Sequence, residues 1–449
     1  MTSTQQQHEL GSERIGKLLM RYSIPSIIAM TAASLYNMVD SIFIGRGCDT
    51  LAISGLAVTF PLMNLSAAFG AMVGIGSSTL VSVKLGQKDF DEAENILGNV
   101  VILNVVISLI FMACALLFLD PILIFFGASE NTLPYAREYM QVLLWGNVLT
   151  HLYLGLNDTM RASGYPQRAM AATLVAVFVN AIFNYIFIFV LKLGIKGAAI
   201  GTLCAQGVAF MGICYHFTRP ESIIKFKKKI FKFRLKVARS IIGIGCAPFF
   251  TNLCACLVVL LINNALKNNG GDYYIGAYGI VNRIAFVFIM IANGFNQGMQ
   301  PILGYNYGAG QIHRSVKAYK LTVVCAVIVT TSCFLLSLLC PEVAVSLFAP
   351  DSEMIQIACH ALWVMTCVFP LVGFQITSIG FFMSLGMAKQ AVFLSLTRQL
   401  IILIPFLLIL PHFFGVEGVW MSMPIADVLS TLIVSVMLIR QIRKFNLKN

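Results

Sequence analysis

The chain has 449 residues, of which 58% are hydrophobic and only 11% are charged. Soluble proteins carry roughly a quarter of their residues as charged side chains, so the composition excludes a soluble globular protein. The formal net charge of +12 suits either nucleic acid or lipid, and the positions of the charges decide between them.

Twelve apolar runs follow one another along the chain. Each has about 20 to 27 residues, enough for a helix to cross a hydrocarbon core of about 30 Å at about 1.5 Å per residue. The runs cover roughly 18–43, 53–81, 96–119, 137–160, 168–191, 197–217, 239–266, 275–303, 318–340, 356–384, 391–411 and 416–439. We predict an all-α integral membrane protein with twelve transmembrane helices. We expect no cleavable signal, because the first run is itself long enough to span.

The two halves of the chain repeat each other at a distance of about 222 residues. The matched residues are Phe126 with Phe348, Gly164 with Gly386 and Ala169 with Ala391. A repeat of this length indicates a duplicated membrane domain, as in alternating-access transporters. Because each half has six spans, both halves enter the membrane from the same side. We therefore predict two six-helix bundles related by a pseudo-two-fold axis along the membrane normal.

The spans divide the chain into five segments. These are a cytoplasmic tail at 1–17, an N-terminal six-helix lobe at 18–217, a basic cytoplasmic linker at 218–238, a C-terminal six-helix lobe at 239–440 and a cytoplasmic tail at 441–449. If both termini are cytoplasmic, most of the 31 Lys and Arg lie on the inner side. This positive-inside bias predicts a multi-pass protein of a bacterial inner membrane. It explains the net charge by topology, so we expect membrane lipids and no nucleic acid as partners, and we expect a monomer.

The linker is the most basic part of the chain, and Phe226, Phe231 and Phe233 are interleaved with its Lys and Arg residues. One interpretation is an amphipathic segment that lies on the anionic inner leaflet. The other is a solvated anchor that only fixes the topology. Elsewhere, glycines four residues apart at 70 and 74 and at 294 and 298 are expected to let helix backbones approach closely.

Only three of the nineteen acids fall within apolar runs, namely Asp40, Asp158 and Asp427. A carboxylate at the bilayer centre costs about 2.5 to 3.5 kcal/mol on the insertion scale, so its default interpretation is functional. Asp40 follows Tyr36 by four residues and Asn37 by three, which places the three side chains on one helix face. The alternative is that Asp40 marks the outer end of the first helix.

Further polar side chains occur in the fourth to sixth runs. They are Asn157, the pair Asn180 and Asn184, and the pair Thr202 and Gln206. Side chains four residues apart share a helix face, and amide carbonyl groups can bind a cation or a neighbouring acid. We predict that they form a polar pocket with Asp40 inside the N-terminal half. The alternative is that these groups only hold helices together.

The other two acids have weaker functional readings. Asp158 precedes Arg161 by three residues, which favours a structural ion pair. Asp427 occupies in the twelfth run the place of Gln206 in the sixth, and is either an ion ligand or a buried, hydrogen-bonded structural acid. The twelve cysteines lack metal-ligand spacing and are interpreted as small buried side chains.

Several motifs together resemble the multidrug and toxic compound extrusion (MATE) transporters over about residues 15–440. They are Tyr-Asn-Met-Val-Asp-Ser at 36–41, Gly-Leu-Ala-Val-Thr-Phe-Pro at 55–61, Arg-Ala-Ser-Gly-Tyr-Pro at 161–166 and the pair Asn180 and Asn184. The resemblance implies two lobes that rock about a central cleft. It also implies exchange of Na⁺ or H⁺ for amphipathic, often cationic drugs, with no cofactor other than the transported ion.

The resemblance further implies a cation-coupling site in the N-terminal lobe. Its residues would be Asp40, Asn180, Asn184 and Thr202, with Tyr36 and Asn157 alongside and Asn37, Gln206, Asp427 and Gln375 as secondary candidates. Some members carry an acid in the fifth helix where this chain has Asn184. Helices seven and ten lack the acids used by members that couple through the C-terminal lobe. We therefore expect coupling mainly in the N-terminal lobe, by Na⁺ bound to the first four residues or by H⁺ on Asp40.

Two alternative functions remain open. A flippase for lipid-linked oligosaccharides would bind phosphates, yet the spans hold almost no basic residues besides Arg283 and Arg398. A membrane-embedded transferase would need clustered His, Asp or Glu, whereas the six His are scattered. The chain has no zinc-protease, nucleophile-elbow or phosphate-loop motif, so we expect a transporter driven by an ion gradient and not an enzyme.

Overall fold

The computed structural model describes residues 9–48, 50–348 and 352–446, without the side chains at 35–38, 50, 228, 272 and 446. These residues form helices joined by turns, and no strand occurs among them. The helices of the first half are α1 (Ile15–Gly47), α2 (Thr50–Gly86), α3 (Phe90–Leu117), α4 (Leu119–Phe125), α5 (Leu133–Trp145), α6 (Asn147–Ala162), α7 (Pro166–Asn184) and α8 (Gly194–Thr218). A π-helix, Tyr185–Val190, continues α7.

The second half repeats this order. Its helices are α9 (Leu235–Asn269), α10 (Asp272–Gly308), α11 (Ile312–Leu339), α12 (Pro341–Ser346), α13 (Ser352–Thr366), α14 (Phe369–Ser384), α15 (Ala388–Leu396) and α16 (Ile404–Asn446). A second π-helix, Thr397–Leu403, joins α15 to α16. The π-helices therefore lie in the fifth and eleventh predicted spans, which correspond to each other in the repeat.

The predicted twelve spans are recovered, although some of them are broken. By length and apolar composition, nine helical stretches of the described residues could cross a membrane, and α13 with α14, bent by 50°, makes a tenth. One of the nine, Ala388–Phe445, has 58 residues and is interrupted at Gly415, where φ is 58°. It therefore contains two spans. The remaining span is α5 with α6, broken at Gly146.

The described chain divides into two compact units. The first contains Ile28–Phe249 and the residues up to Ser12, and the second contains Glu13–Ile27 and Phe250–Asn449. The start of α1 thus packs within the second unit and the start of α9 within the first. The lobe boundaries at 18–217 and 239–440 were drawn from the membrane spans, and they stay a prediction.

Glycine permits close helix packing within each unit, as expected. In the second unit, a Cβ added to Gly294 would lie 2.9 Å from Cα of Ile27, and one added to Gly298 would lie 2.6 Å from Cα of Ser23. In the first unit, a Cβ on Gly70 would lie 3.2 Å from the Leu154 side chain. Any larger residue would push these helices apart, since such distances are below normal contact.

The basic linker docks on the start of α3, which neither interpretation of its sequence foresaw. Lys227 Nζ donates to Glu94 Oε2 at 2.5 Å, and Arg234 Nη1 donates to Glu92 Oε2 at 2.6 Å. Asn99 Oδ1 accepts the backbone N–H of Arg234 at 2.9 Å. Ile230 of the linker is buried. The linker is therefore fixed to the first unit, while other side chains such as Phe231 and Phe233 remain exposed.

Candidate functional site

The first unit encloses a carboxylate, that of Asp40 on α1, which is only 5% exposed. Asn184, the last residue of α7 before the π-helix, donates from Nδ2 to Asp40 Oδ1 at 2.6 Å. Tyr139 of α5 donates its hydroxyl to Asp40 Oδ2 at 3.3 Å. Both carboxylate oxygens thus accept hydrogen bonds from neutral donors.

The hydrogen bonds continue from Asp40 to α8. Asn184 Nδ2 also donates to Asn180 Oδ1 at 3.0 Å, and Asn180 Nδ2 donates to Thr202 Oγ1 at 3.3 Å. All four residues are at most 5% exposed. The predicted polar pocket therefore exists, and Asp40, Asn180, Asn184 and Thr202 come together in it.

Asn184 retains an unused acceptor. Its Oδ1 is buried and has no hydrogen-bond partner in the described part of the chain. Gly201 of α8 lies beside this oxygen, and a Cβ added there would be 2.6 Å from it. A buried acceptor without a donor costs about 1–3 kcal/mol, so this oxygen is suited to a ligand that carries positive charge.

Tyr139 was missed by the sequence reasoning. It lies 99 residues from Asp40 in the chain, and α5 gives no local pattern that separates it from other tyrosines. The side chains of Tyr36 and Asn37, which were predicted to share the face of Asp40, lie outside the described residues.

Two further predicted residues make hydrogen bonds elsewhere in the first unit. Asn157 Nδ2 donates to Thr173 Oγ1 at 3.0 Å. Gln206 Oε1 accepts from Thr150 Oγ1 at 2.6 Å. Neither of these bonds is to Asp40, so a role for Asn157 or Gln206 in coupling stays a prediction.

The other two acids of the spans have basic partners. Asp158 pairs with Arg161 at 3.1 Å, which confirms the expected ion pair. In the second unit, Arg398 Nε donates to Asp427 Oδ1 at 2.6 Å. No Lys, Arg or His among the described residues pairs with Asp40, whose hydrogen bonds go to Asn184 and Tyr139.

The positions that correspond to this cluster in the second half are apolar. Counting on about 222 residues from Asp40, Tyr139, Asn180 and Asn184 leads to Ile262, Ala361, Ile402 and Phe406. Ile262, Ala361 and Ile402 belong to the buried hydrophobic core of the second unit, and Phe406 packs against that core. The duplication therefore preserves the helices and not the polar cluster.

The donor set of the first cluster fits a hard monovalent cation or a proton. A carboxylate, amide carbonyl oxygens and a hydroxyl are the ligands that hard cations prefer. The described residues contain no group of three His, Cys, Asp or Glu that could hold a metal ion. The cluster thus differs from a transition-metal site, which uses His and Cys.

Many apolar spans and a buried cluster with one unpaired carboxylate define a polytopic membrane transporter. The MatE family model matches the chain twice, at residues 25–186 and 248–409. The chain therefore belongs to the MATE family of transporters. This confirms the resemblance, the all-α twelve-span plan in a multi-pass membrane protein, and the expectation that the chain is not an enzyme.

Known proteins are similar over almost the whole chain. The multidrug export protein MepA of Staphylococcus haemolyticus is 28% identical over 92% of this chain and 91% of its own. MepA of Staphylococcus aureus strain MSSA476 is 26% identical over 93% and 92%.

Solved structures share the fold. The MATE multidrug transporter DinF-BH, solved in complex with a drug, is 36% identical, with a TM-score of 0.88 and 96% of both chains covered. A MATE transporter in the bent conformation is 22% identical, with a TM-score of 0.93 over 99% of this chain and 98% of that one.

Proposed function

We propose that this chain exports amphipathic, often cationic drugs by alternating access, in exchange for Na⁺ or H⁺ bound at Asp40. The observation that carries the proposal is the contrast among the three acids of the spans. Asp158 and Asp427 are neutralised by arginines, whereas Asp40 has no basic partner among the described residues. A buried carboxylate without compensation is costly, so a mobile cation is the natural partner of Asp40.

Drug export is supported by the relatives. Two of them are named multidrug export proteins, and DinF-BH is a multidrug transporter seen with a drug bound. A drug that replaces the ion need not touch Asp40 itself. It is sufficient that the protein binds the ion more tightly in one conformation, because a ligand shifts an equilibrium only by its differential affinity for the two states.

Flipping of lipid-linked oligosaccharides is less well supported. Those substrates carry phosphates, which call for basic side chains that are free to bind them. Arg398, one of the few basic residues in the spans, is already engaged by Asp427.

The test is ethidium efflux from everted vesicles, with sodium and proton gradients imposed separately. The wild type should export when at least one gradient is present. Asp40→Asn should insert and fold but lose gradient-driven efflux. The matched control is Glu138→Gln, which makes the same chemical change at an exposed position next to Tyr139 and should keep efflux. Wild-type-like efflux by well-expressed Asp40→Asn would contradict the coupling role.

A further inference from the structure

The second unit has a buried polar cluster of its own, at positions unrelated to those of the first. Asp427 of α16 is 2% exposed and accepts from Arg398 Nε at 2.6 Å. Gln375 of α14 donates from Nε2 to the backbone oxygen of Asp427 and to Thr431 Oγ1, both at 2.6 Å. The cluster thus joins the tenth, eleventh and twelfth spans.

The chemistry of this cluster repeats that of the Asp40 cluster. Each has one carboxylate, a carboxamide and a threonine hydroxyl. Each also has an amide oxygen that is buried without a hydrogen-bond partner in the described residues, Oδ1 of Asn184 in one and Oε1 of Gln375 in the other. The difference is Arg398, which brings a permanent positive charge to Asp427.

Arg398 belongs to the π-helix Thr397–Leu403, and Asn184 directly precedes the π-helix Tyr185–Val190. Single π-helical turns inside longer helices are rare and occur often at functional sites. In both units, therefore, the fifth span of the half contributes a partner of the carboxylate from a π-helical segment or its edge.

We propose that Arg398 acts as a tethered cation that fills a latent Na⁺ site around Asp427. Asp427, Thr431, Gln375 and the backbone carbonyl of Asp427 provide the oxygen atoms of such a site. With Arg398 in place, the carboxylate is compensated and the second unit needs no mobile ion. Arg398 is then the residue that restricts cation binding to the first unit.

The test uses purified protein in which Asp40→Asn removes the first carboxylate, so that only the second unit can respond. Melting temperature is measured in sodium-free and sodium-saturated buffer at neutral pH and constant ionic strength. A ligand that binds only the folded state raises Tm. Asp40→Asn alone should show no sodium effect, whereas Asp40→Asn with Arg398→Gln should melt lower and regain several degrees in sodium.

Two controls isolate Asp427. Adding Asp427→Asn to the pair of changes should abolish the sodium effect, and Arg398→Lys, which keeps a tethered charge, should not create one. A sodium effect that survives Asp427→Asn, or no sodium effect in the Arg398→Gln protein, would overturn the proposal. If Arg398→Gln cannot be purified, Asp427→Asn should restore its yield, and failure of that rescue contradicts an uncompensated carboxylate. None of these measurements involves drug efflux, so their outcome is separate from that of the proposed function.

Discussion

Asn184 holds Asp40 at 2.6 Å through its amide nitrogen, and its own carbonyl oxygen stays buried without a donor. The nitrogen serves both Asp40 and Asn180, which fixes the orientation of the amide because both partners are acceptors. The oxygen that remains is therefore available to a cation.

Gly201→Ala should disturb this orientation. The new Cβ would lie 2.6 Å from Asn184 Oδ1 and 3.4 Å from the Asn184 backbone nitrogen, so the side chain of Asn184 must move. Overpacking of this kind costs about 1–3 kcal/mol, and we expect a lower Tm and weaker ion-dependent efflux. Gly212→Ala is the control, because it lies on the same helix and a Cβ there meets nothing within 4 Å. Equal effects of the two changes would contradict the crowding argument.

Asn180→Ala and Thr202→Val should distinguish sodium from proton coupling. If Na⁺ is bound, each change removes an oxygen ligand and should weaken the sodium dependence of efflux by about tenfold, equivalent to about 1.4 kcal/mol. If only H⁺ is carried, the pH profile should shift while any sodium response stays flat. Efflux measured against sodium concentration and against pH gives the answer. A double variant with unchanged sodium and pH dependence would rule out this cluster as the coupling site.

Tyr139→Phe should weaken ion-dependent efflux without preventing folding. It removes the hydrogen bond to Asp40 Oδ2, worth about 0.5–1.5 kcal/mol, and leaves the ring in place. The ion concentration for half-maximal efflux should change by severalfold. Tyr185→Phe makes the same change on an exposed tyrosine next to Asn184 and should be neutral. If the two variants behave alike, Tyr139 has no role at the carboxylate.

The linker should face the cytoplasm. In a cysteine-free background, Lys229→Cys, an exposed linker position, should react with a membrane-impermeant thiol reagent only after cells are permeabilised. Glu130→Cys, an exposed position in the turn before α5, should react in intact cells. The reverse pattern would mean that the predicted topology is inverted.

The parts of the site that sequence predicted are those that depend on local spacing and on the cost of polar groups in a membrane. Asp40, Asn180, Asn184 and Thr202 stand out because they interrupt apolar helices. Tyr139 could not be found in this way, because its contact with Asp40 depends on how α5 packs against α1. The same is true of the pair Arg398 and Asp427, whose meeting requires the register between the eleventh and twelfth spans.

The docking of the linker was missed for a related reason. Glu92 and Glu94 lie in the first turns of α3, where acids are common because they favour the positive end of the helix dipole. Nothing in the local sequence marks them as partners of residues more than 130 positions away.

The distance along the chain between Asp40 and Asn184, 144 residues, also sets the order of events during synthesis. At about 5 to 20 residues per second, the ribosome delivers Asp40 about 10 to 30 s before its amide partner. Arg398 and Asp427 are only 29 residues apart, so the second carboxylate follows its arginine within a few seconds at the same rate. Slow elongation between the first and fifth spans would therefore leave α1 waiting at the insertion machinery with an unmatched acid. Biogenesis of the first half should depend on translation speed much more than that of the second.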